Sequence, residues 1–234
     1  MNPNKSFSKS ATTYNNYSLI QQEVLKLLIK KIDQQYNRIV DLGCGTGEFY
    51  KQYRYKVEQL YSIDISIDML EQHPISNNIK TIQKDFNDLD FFDFLGNLQF
   101  DMLISSSALQ WSKNLEYMIK NLKALNKPLY LTIFTSNTFK DLHQFIDYKS
   151  PIHSKELIIK ATKGMEISFI NKSLTFKSNY EMMRYIQKSG VSGSNKPIDL
   201  KDMKKILNNY PNPILEFEIA IIKYNSNKKI DKNL

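Results

Sequence analysis

Three glycines lie within five residues, directly after a short apolar run. They are Gly43, Gly45 and Gly47, and the run is RIVDL at 38–42. A run of this kind that ends in glycines is typical of a buried parallel strand followed by a tight turn. Glycine lets the backbone turn sharply and lets a ligand approach it closely, whereas an ordinary strand-to-helix turn needs only one glycine. The loop therefore predicts a binding site.

The spacing of the loop distinguishes between classes of nucleotide ligand. A dinucleotide-binding loop has the pattern G-x-G-x-x-G, which requires a glycine at position 48, and this chain has Glu48 there. A carboxylate near the N-terminus of the following helix repels phosphate. The loop also lacks the Lys-Ser/Thr pair of nucleoside triphosphate sites. DLGCGTG at 41–47 thus suits a nucleoside with a cationic or zwitterionic tail.

Aspartates stand at the ends of the first three predicted strands. Asp41 lies in the first, Asp64 ends the second 23 residues later, and Asp85 follows the third. An acid at about the position of Asp64 accepts the ribose hydroxyls in dinucleotide folds, and Asp85 can accept from an adenine amino group. A single aspartate is more often a helix cap or a solvated loop residue. Three at consecutive strand ends favour a nucleoside site.

The elements that must position these residues alternate between strand and helix up to about residue 136. Such alternation is typical of a parallel sheet built from right-handed crossovers. The predicted strands are 38–42, 59–65, 79–83, 99–105 and 128–135, and the predicted helices are 18–32, about 47–55, 66–72 and 114–125.

Beyond residue 136 the pattern changes. Residues 139–163 are polar and helical in character, and 179–190 predict a helix that ends at a glycine cap. Residues 167–176 and 214–224 predict two further strands. We expect these two strands to form a hairpin-like pair at the edge of the sheet, with helical insertions above it.

The overall composition excludes several classes of protein. Hydrophobic residues make up 41% of 234 residues, enough for one large α/β domain and too many for a disordered chain. No apolar run reaches the ~18 residues that span a bilayer, and the polar N-terminus lacks the apolar core of an export signal. We therefore expect a cytoplasmic protein with no membrane partner.

Metal chemistry is not predicted. Cys44 is the only cysteine, and the three histidines, His73, His143 and His153, are not paired at metal-ligand spacing. The formal charge of +8 permits an acidic partner, such as nucleic acid or an acidic carrier protein. Because the lysines are scattered rather than striped, we attribute much of the excess charge to codon bias.

A set of motifs across 38–135 resembles the class I S-adenosylmethionine (SAM)-dependent methyltransferases. The motifs are DLGCGTG, YSIDIS followed by Met69–Leu70, KDF, and FDMLISSSALQW. The resemblance implies that the glycine loop holds the methionine half of SAM and that Asp64 holds its ribose. The residues that it implies as SAM contacts are Asp41, Gly43, Gly45, Gly47, Asp64, Ile65, Met69, Asp85, Phe86 and Ser105.

Within that set, Ile65 and Met69 are expected to pack on the adenine ring. Asp85 and Phe86 are expected to fix its edge. The chain departs from the family pattern at Ser106, where the family commonly has Asn, and before the fifth strand, where the family often has a glycine pair.

The ends of the chain resemble one branch of that class, the malonyl-[acyl-carrier protein] O-methyltransferases of biotin synthesis. The similar segments are FSKSATTYNNYSLIQQEVLKLLIKKI, SSSALQWSKNL, LTIFTSNTFKDLHQF and SLTFKSNYEMMRYIQKSGVSGSN. The resemblance implies methyl transfer from SAM to the free carboxylate of a malonyl thioester on acyl carrier protein. The segment IDYKSPIHSKELI is shorter than is usual in the family, which leaves the carboxylate clamp undefined.

The resemblance also completes the predicted architecture. We predict a doubly wound α/β fold with a mostly parallel, seven-stranded sheet and helical lid insertions, in a single domain over 1–234. Its parts would be an N-terminal lid segment at 1–17, a SAM-binding half at 38–136, and a substrate side at 137–225.

The proposed reaction needs no general base, because a malonyl carboxylate is already ionised at neutral pH. Catalysis can depend on holding the reacting atoms in line with water excluded. Arg184 is the first candidate for orienting the carboxylate, since a guanidinium binds carboxylate through two hydrogen bonds. Tyr14, Trp111 and His143 are candidates for the lid or the wall of the site. The presence of Arg184 is explained equally well by a solvated position on a helix. The presence of Trp111 is explained equally well by a packing role.

Three alternative functions remain open from the sequence. The first is the same fold acting on another small carboxylic acid or metabolite. The second is a non-catalytic SAM-binding protein, against which the complete set of motifs argues. The third is an RNA methyltransferase, which the charge suggests. The segment SSSAL after the fourth strand, in place of an Asn/Asp-Pro-Pro-Tyr motif, argues against that reading, so we expect no nucleic-acid partner.

Overall fold

The computed structural model describes residues 18–189 and 199–225. Seven strands form one sheet in the order β3-β2-β1-β4-β5-β7-β6. The strands are β1 (Arg38–Leu42), β2 (Gln59–Asp64), β3 (Ile79–Gln83), β4 (Met102–Ser106), β5 (Leu129–Phe134), β6 (Glu166–Thr175) and β7 (Ile214–Tyr224). Strands β1 to β5 are parallel, and β7 is antiparallel to both β5 and β6. The predicted fold class is confirmed.

Helices connect the strands and extend beyond the strand ends. In chain order they are α1 (Leu19–Ile29), α2 (Glu48–Gln52), α3 (Ile67–Leu70), α4 (Phe91–Gly96), α5 (Leu115–Ala124), α6 (Lys140–Phe145), α7 (Lys155–Ala161), α8 (Asn179–Ser189) and α9 (Leu200–Asn209), with a 3₁₀ turn at Leu109–Trp111. Within the described ranges, no helix is long and apolar enough to cross a membrane.

The central strands are buried on both faces, which explains their nearly continuous apolar sequences. Adjacent residues of β1 separate onto two layers: Ile39 packs with α1 and α2, and Val40 packs with α4 and α5. All six residues of β5 are buried. The sheet is therefore doubly wound, with helices on both faces.

The two late strands pair as predicted. β6 and β7 are antiparallel with Glu166 opposite Lys223 and Thr175 opposite Ile214. On its other side β7 pairs with β5, where Leu129 lies opposite Tyr224. Exposed and partly buried residues alternate along β6, as is typical of an edge strand. The insertion helices α6, α8 and α9 pack on the β5–β7 end of the sheet through a third apolar cluster.

Some elements differ from the predictions. The strand expected at 99–105 begins only at Met102, directly after Asp101, whose carboxylate accepts from the Arg38 backbone N–H. Helix α2 ends at Gln52, short of the expected residue 55. Helices α4 and α9 and the 3₁₀ turn were not predicted. The expected glycine cap at 190 and the lid segment 1–17, with Tyr14, lie outside the described residues.

Candidate functional site

The first glycine of the loop is required by close packing. The backbone N–H groups of Gly43 and Cys44 both donate to the Ile63 carbonyl, at 2.8 and 3.1 Å, which ties the loop to the end of β2. Gly43 has a φ of +74°, and a Cβ on it would overlap the Ala108 side chain. A side chain at this position would therefore push the loop away from the segment that follows β4.

The other two glycines have different surroundings. Gly47 is the N-cap of α2 with a φ of +80°, and a Cβ there would lie 2.7 Å from His73 Nε2. Gly45 has a φ of +53°, and no atom lies within 4 Å of where its Cβ would be. Gly43 and Gly47 thus allow the protein to pack on itself, whereas Gly45 leaves its backbone open to a ligand.

Two clefts lie against the glycine loop. The larger has a volume of about 660 Å³ and the smaller about 460 Å³, and both are lined by Gly43, Gly45 and Ser106. The further lining of the larger cleft is Ile63, Asp64, Ile65, Met69, Lys84, Asp85, Phe86, Asn87, Ser107, Ala108 and Trp111. The further lining of the smaller cleft is Ser18, Gln21, Gln22, Leu25, Asp41, Cys44, Thr46, Glu48 and Phe49.

Asp64 joins the glycine loop to the start of α3. Its two carboxylate oxygens accept from the backbone N–H groups of Gly45 and Ser66, each at 2.9 Å. Burial raises the pKa of Asp64, and these two hydrogen bonds oppose that rise. Each carboxylate oxygen keeps a second lone pair, so Asp64 can also accept from hydroxyl groups of a ligand.

Asp41 is a buried acid with one carboxyl oxygen that has no hydrogen-bond partner among the described residues. It is only 3% exposed, and the oxygen without a partner is Oδ2. Burial, with a further contribution from the charge of Asp64, raises the pKa of Asp41 to about 8. Because a buried carboxylate without a partner is costly, its position on the smaller cleft fits a cationic group of a ligand.

The larger cleft combines apolar walls with an acid. Ile65, Met69 and Phe86 line it together with Asp85. The Asp85 Oδ1 atom accepts from the backbone N–H and the side-chain amide of Asn87, at 2.8 and 3.0 Å. These contacts fix the carboxylate at the rim of an apolar slot, an arrangement suited to a planar base with an amino group.

The structure brings most of the predicted SAM contacts together. Eight of the ten line one cleft or the other; Gly47 and Ser105 line neither. The Ser105 hydroxyl is fully buried and donates to the Leu42 carbonyl at 2.7 Å, so it joins β4 to β1. The residue on the clefts is its neighbour Ser106. Because side chains alternate along a strand, a shift of one residue exchanges a buried position for one facing the site.

The predicted orienting residues are dispersed. Trp111 lines the larger cleft, and its buried Nε1–H has no partner among the described residues. His143 lies in α6 between the rings of Phe139 and Tyr148, where burial lowers its pKa to about 4 and keeps it neutral. Arg184 is exposed on α8 and lines neither cleft.

Several lining residues were not predicted as contacts. Lys84 is the first residue of the predicted KDF motif and Asn87 follows the motif, so their positions beside Asp85 and Phe86 were a usable signal. Ser107 and Ala108 follow β4, but only the packing of Ala108 on Gly43 reveals their part in the site. Within the part of the chain that the structure describes, no group of three His, Cys, Asp or Glu side chains is placed to hold a metal ion.

Comparison with known proteins assigns a class to this site. Residues 39–129, which carry the glycine loop and all three aspartates, match the family model described as a methyltransferase domain. The chain therefore carries a methyltransferase domain at these residues. The domain and the fold of this methyltransferase imply SAM as the methyl donor.

The sequence similarity to known proteins extends beyond that domain. The malonyl-[acyl-carrier protein] O-methyltransferase of Buchnera aphidicola is 27% identical over 224 residues, which is 88% of this chain and 89% of that protein. The protein of the same name from Bacillus anthracis is 26% identical over 59% of this chain and 55% of its own length. The biotin biosynthesis bifunctional protein BioHC of Saccharophagus degradans is 31% identical over 56% of this chain and 24% of that protein.

Several solved structures share the fold of this chain. The YcgJ protein of Bacillus subtilis superimposes with a TM-score of 0.61 at 12% identity, covering 86% of this chain and 97% of that one. A putative methyltransferase from Bacillus halodurans gives a TM-score of 0.59 at 13% identity with the same coverage. At these identities the likeness concerns the fold alone.

Proposed function

We propose that this methyltransferase transfers the methyl group of SAM to the free carboxylate of a malonyl thioester carried on acyl carrier protein. The reaction would be an early step of biotin synthesis in the cytoplasm. The observation that carries the proposal is the similarity to the Buchnera protein across 88% of the chain, which continues well beyond the domain at 39–129. Substrate-side segments are therefore included in the likeness.

The residues of the two clefts fit SAM as a ligand. The unpartnered Asp41 carboxylate on the smaller cleft suits the ammonium group of the methionine half. On the larger cleft, Asp64 would accept the ribose hydroxyls and Asp85 the adenine amino group. Ile65 and Met69 would pack on the adenine ring. Because the clefts share Gly43 and Gly45, one ligand can occupy both and cross the open backbone of the loop.

The chemistry of the transfer makes modest demands on the protein. When bound, SAM would supply a methyl group activated by its sulfonium: the acceptor oxygen would bond to the methyl carbon as the carbon–sulfur bond breaks, and the electron pair of that bond would go to sulfur, which leaves as a neutral thioether. The attacking carboxylate is ionised at neutral pH, so no side chain has to remove a proton. The side chains around the clefts have to orient the acceptor and exclude water.

Arg184, Trp111, His143 and Tyr14 remain our candidates for orienting the acceptor. A guanidinium at Arg184 would bind a carboxylate through two hydrogen bonds. The neutral His143 would contribute a single donor rather than a charge. Trp111, which lines the larger cleft, would offer its free indole N–H.

A pair of carrier substrates tests the proposed function directly. The purified chain is incubated with SAM and either malonyl- or acetyl-acyl carrier protein, and the carriers are analysed by mass spectrometry. We expect the malonyl carrier to gain one methyl group. The acetyl carrier, which has the same thioester without the free carboxylate, should remain unchanged. Methylation of neither carrier by a chain that binds SAM in calorimetry would overturn the substrate assignment.

A further inference from the structure

Ser107, directly after β4, has an unusual backbone conformation for a residue with a side chain. Its φ is +60°, in the left-handed region that costs most residues other than glycine of order 1 kcal/mol. The surroundings hold it there. Its backbone N–H lies 3.0 and 3.1 Å from the Thr132 hydroxyl and carbonyl oxygens, and its carbonyl accepts from the Gln110 side-chain amide at 2.6 Å.

Three buried polar atoms belong to this one segment, residues 107–111. Ser107 Oγ, Gln110 Oε1 and Trp111 Nε1 each have no hydrogen-bond partner among the described residues. Gln110 is only 6% exposed. Its side-chain nitrogen donates to the Ser107 carbonyl, so Oε1 is the one atom of its amide without a partner among the described residues. Two of these residues, Ser107 and Trp111, line the larger cleft. Because nearly all buried polar groups in proteins are paired, their unpaired atoms indicate a ligand that pairs with them there.

The cluster offers neutral donors to the cleft. Ser107 and Trp111 line the larger cleft, and their hydroxyl and indole N–H can each donate one hydrogen bond. Lys84 is the only lysine or arginine on the two clefts within the described ranges, and its Nζ lies 2.7 Å from both carboxylate oxygens of Asp90. Its charge is thus already paired. Neutral donors orient an anionic oxygen without neutralising it, so the oxygen keeps its ability to attack.

The position of Ser107 points to the acceptor rather than to the donor. Its neighbour Ser106 lies on both clefts, and Ala108 packs on Gly43 at the centre of the loop. The predicted contacts to adenine and ribose come from the segments after β2 and β3. The segment after β4 therefore lines the larger cleft from a different strand than those contacts, separated from β2 by β1, and through Ser106 it belongs to the lining that the two clefts share.

We propose that Ser107 and Trp111 form the acceptor subsite. The Ser107 hydroxyl and the Trp111 indole N–H donate to the carboxylate of the methyl acceptor, and Thr132 and Gln110 are positioning residues that hold Ser107. Arg184, exposed on α8, would then act outside this inner contact. The proposal rests on the proposed function, because it takes a free carboxylate as the acceptor group.

Three substitutions at one position separate the hydroxyl from the backbone strain. Ser107→Gly and Ser107→Ala both remove the hydroxyl, but only glycine accepts a positive φ without cost. We expect both to lower kcat/KM for malonyl-acyl carrier protein by about 10- to 100-fold, the loss for a hydrogen bond to a charged group. The alanine variant keeps the backbone strain that serine already carries, so its thermal stability should stay near wild type, and the glycine variant, which relieves that strain, should be no less stable. SAM affinity in calorimetry should stay within about twofold of wild type for both variants. Ser107→Asn, which tolerates this φ and carries an amide donor, should restore part of the activity.

Trp111→Phe provides the second arm, because it removes the indole N–H and keeps an aromatic ring. Wild-type turnover in Ser107→Gly would overturn the inference. A loss of SAM affinity in Ser107→Gly as large as the loss of turnover would also overturn it, because the hydroxyl would then belong to the donor site. If the wild-type chain itself fails to methylate the malonyl carrier, the proposed function falls and the inference with it. An active wild type beside an unaffected variant refutes the inference alone.

Discussion

Two regions of the described chain differ in charge: residues 18–136, here called the cofactor side, and the segments that contain α6 to α9, here called the insertion side. Residues 18–136, which contain the glycine loop, carry thirteen lysines and arginines against fourteen aspartates and glutamates. The segments 137–163, 177–189 and 199–210, which contain α6 to α9, carry eleven against six. The excess of basic over acidic residues in the described chain therefore lies on the insertion side. The lysines are scattered along the sequence, as codon bias predicts, but among the described residues acids fail to balance them only in the segments that contain α6 to α9.

The two regions also differ in how they position side chains. On the cofactor side, backbone N–H groups hold Asp64 and Asp85, so a few neighbouring residues define each contact. On the insertion side, His143 is surrounded by aromatic rings and Arg184 is exposed. The proposed cofactor contacts are therefore fixed by local loop geometry, whereas the two candidates on the insertion side lie in an aromatic cluster and at an exposed helix position.

The largest expected effect compares two glycines of the same loop. Gly43→Ala forces a Cβ into the Ala108 side chain at a positive φ, so we expect the free energy of unfolding to fall by about 2–4 kcal/mol. Gly45→Ala carries only the backbone strain, about 1 kcal/mol. Urea unfolding of both variants measures the difference. Equal destabilisation would mean that the close packing at Gly43 does not constrain the fold.

The next effect concerns the ribose contact on the cofactor side. Asp64→Ala should weaken SAM binding by ~1.5–3 kcal/mol, the scale for losing charge-assisted hydrogen bonds. Asp68→Ala in α3 removes the same charge four residues later and serves as the matched control. Isothermal titration measures both. Unchanged affinity in Asp64→Ala would reject this position as a SAM contact.

A smaller effect should appear in the pH dependence of SAM binding. The pKa of Asp41 is raised to about 8, so the free protein holds a proton there at pH 7. A cationic ligand favours the ionised form, so binding should release that proton and strengthen by up to about tenfold per pH unit as the pH rises towards 8. Calorimetry at pH 7 in two buffers of different ionisation enthalpy measures the release.

The effect of Asp41 on folding stability has the opposite sign to its effect on SAM binding as the pH rises. A raised pKa means that the folded state binds more protons than the unfolded state between the ordinary pKa of 3.8 and about 8, so the contribution of Asp41 to stability falls as the pH rises through that window. Asp41→Asn should remove both the proton release and this part of the stability profile. Proton release that persists in Asp41→Asn would place the titrating group elsewhere.

The smallest effect tests the charge difference between the two regions. Carrier proteins are acidic, so the insertion side should steer their approach, and added salt should weaken the steering. Lys201→Glu with Lys204→Glu on α9 should slow association with acyl carrier protein by several-fold at low salt. Lys56→Glu with Lys120→Glu on the cofactor half changes the total charge equally and is the control. Equal slowing by both pairs would show that net charge, rather than its location, governs the encounter.

Much of the cofactor side was predictable from the sequence because its signals are local. An apolar run followed by three glycines specifies β1 and its loop, and Ser66, the first residue of the helix predicted at 66–72, caps α3 by accepting from the Met69 N–H. Alternating polarity likewise identified the β6–β7 pair. In each case the deciding pattern lies within about ten residues of the chain, where strand and helix periodicity act directly.

Only the tertiary structure decided which side chains meet. Ala108 requires a glycine at position 43, and Thr132 fixes Ser107, yet the members of each pair lie far apart in the chain. The same holds for the choice of Ser106 over Ser105 as the residue on the clefts. These contacts depend on the order β1-β4-β5 in the sheet and on the register of each strand. Local periodicity predicts neither the strand order nor the register, because neighbouring strands of a parallel sheet are separated along the chain by whole helices.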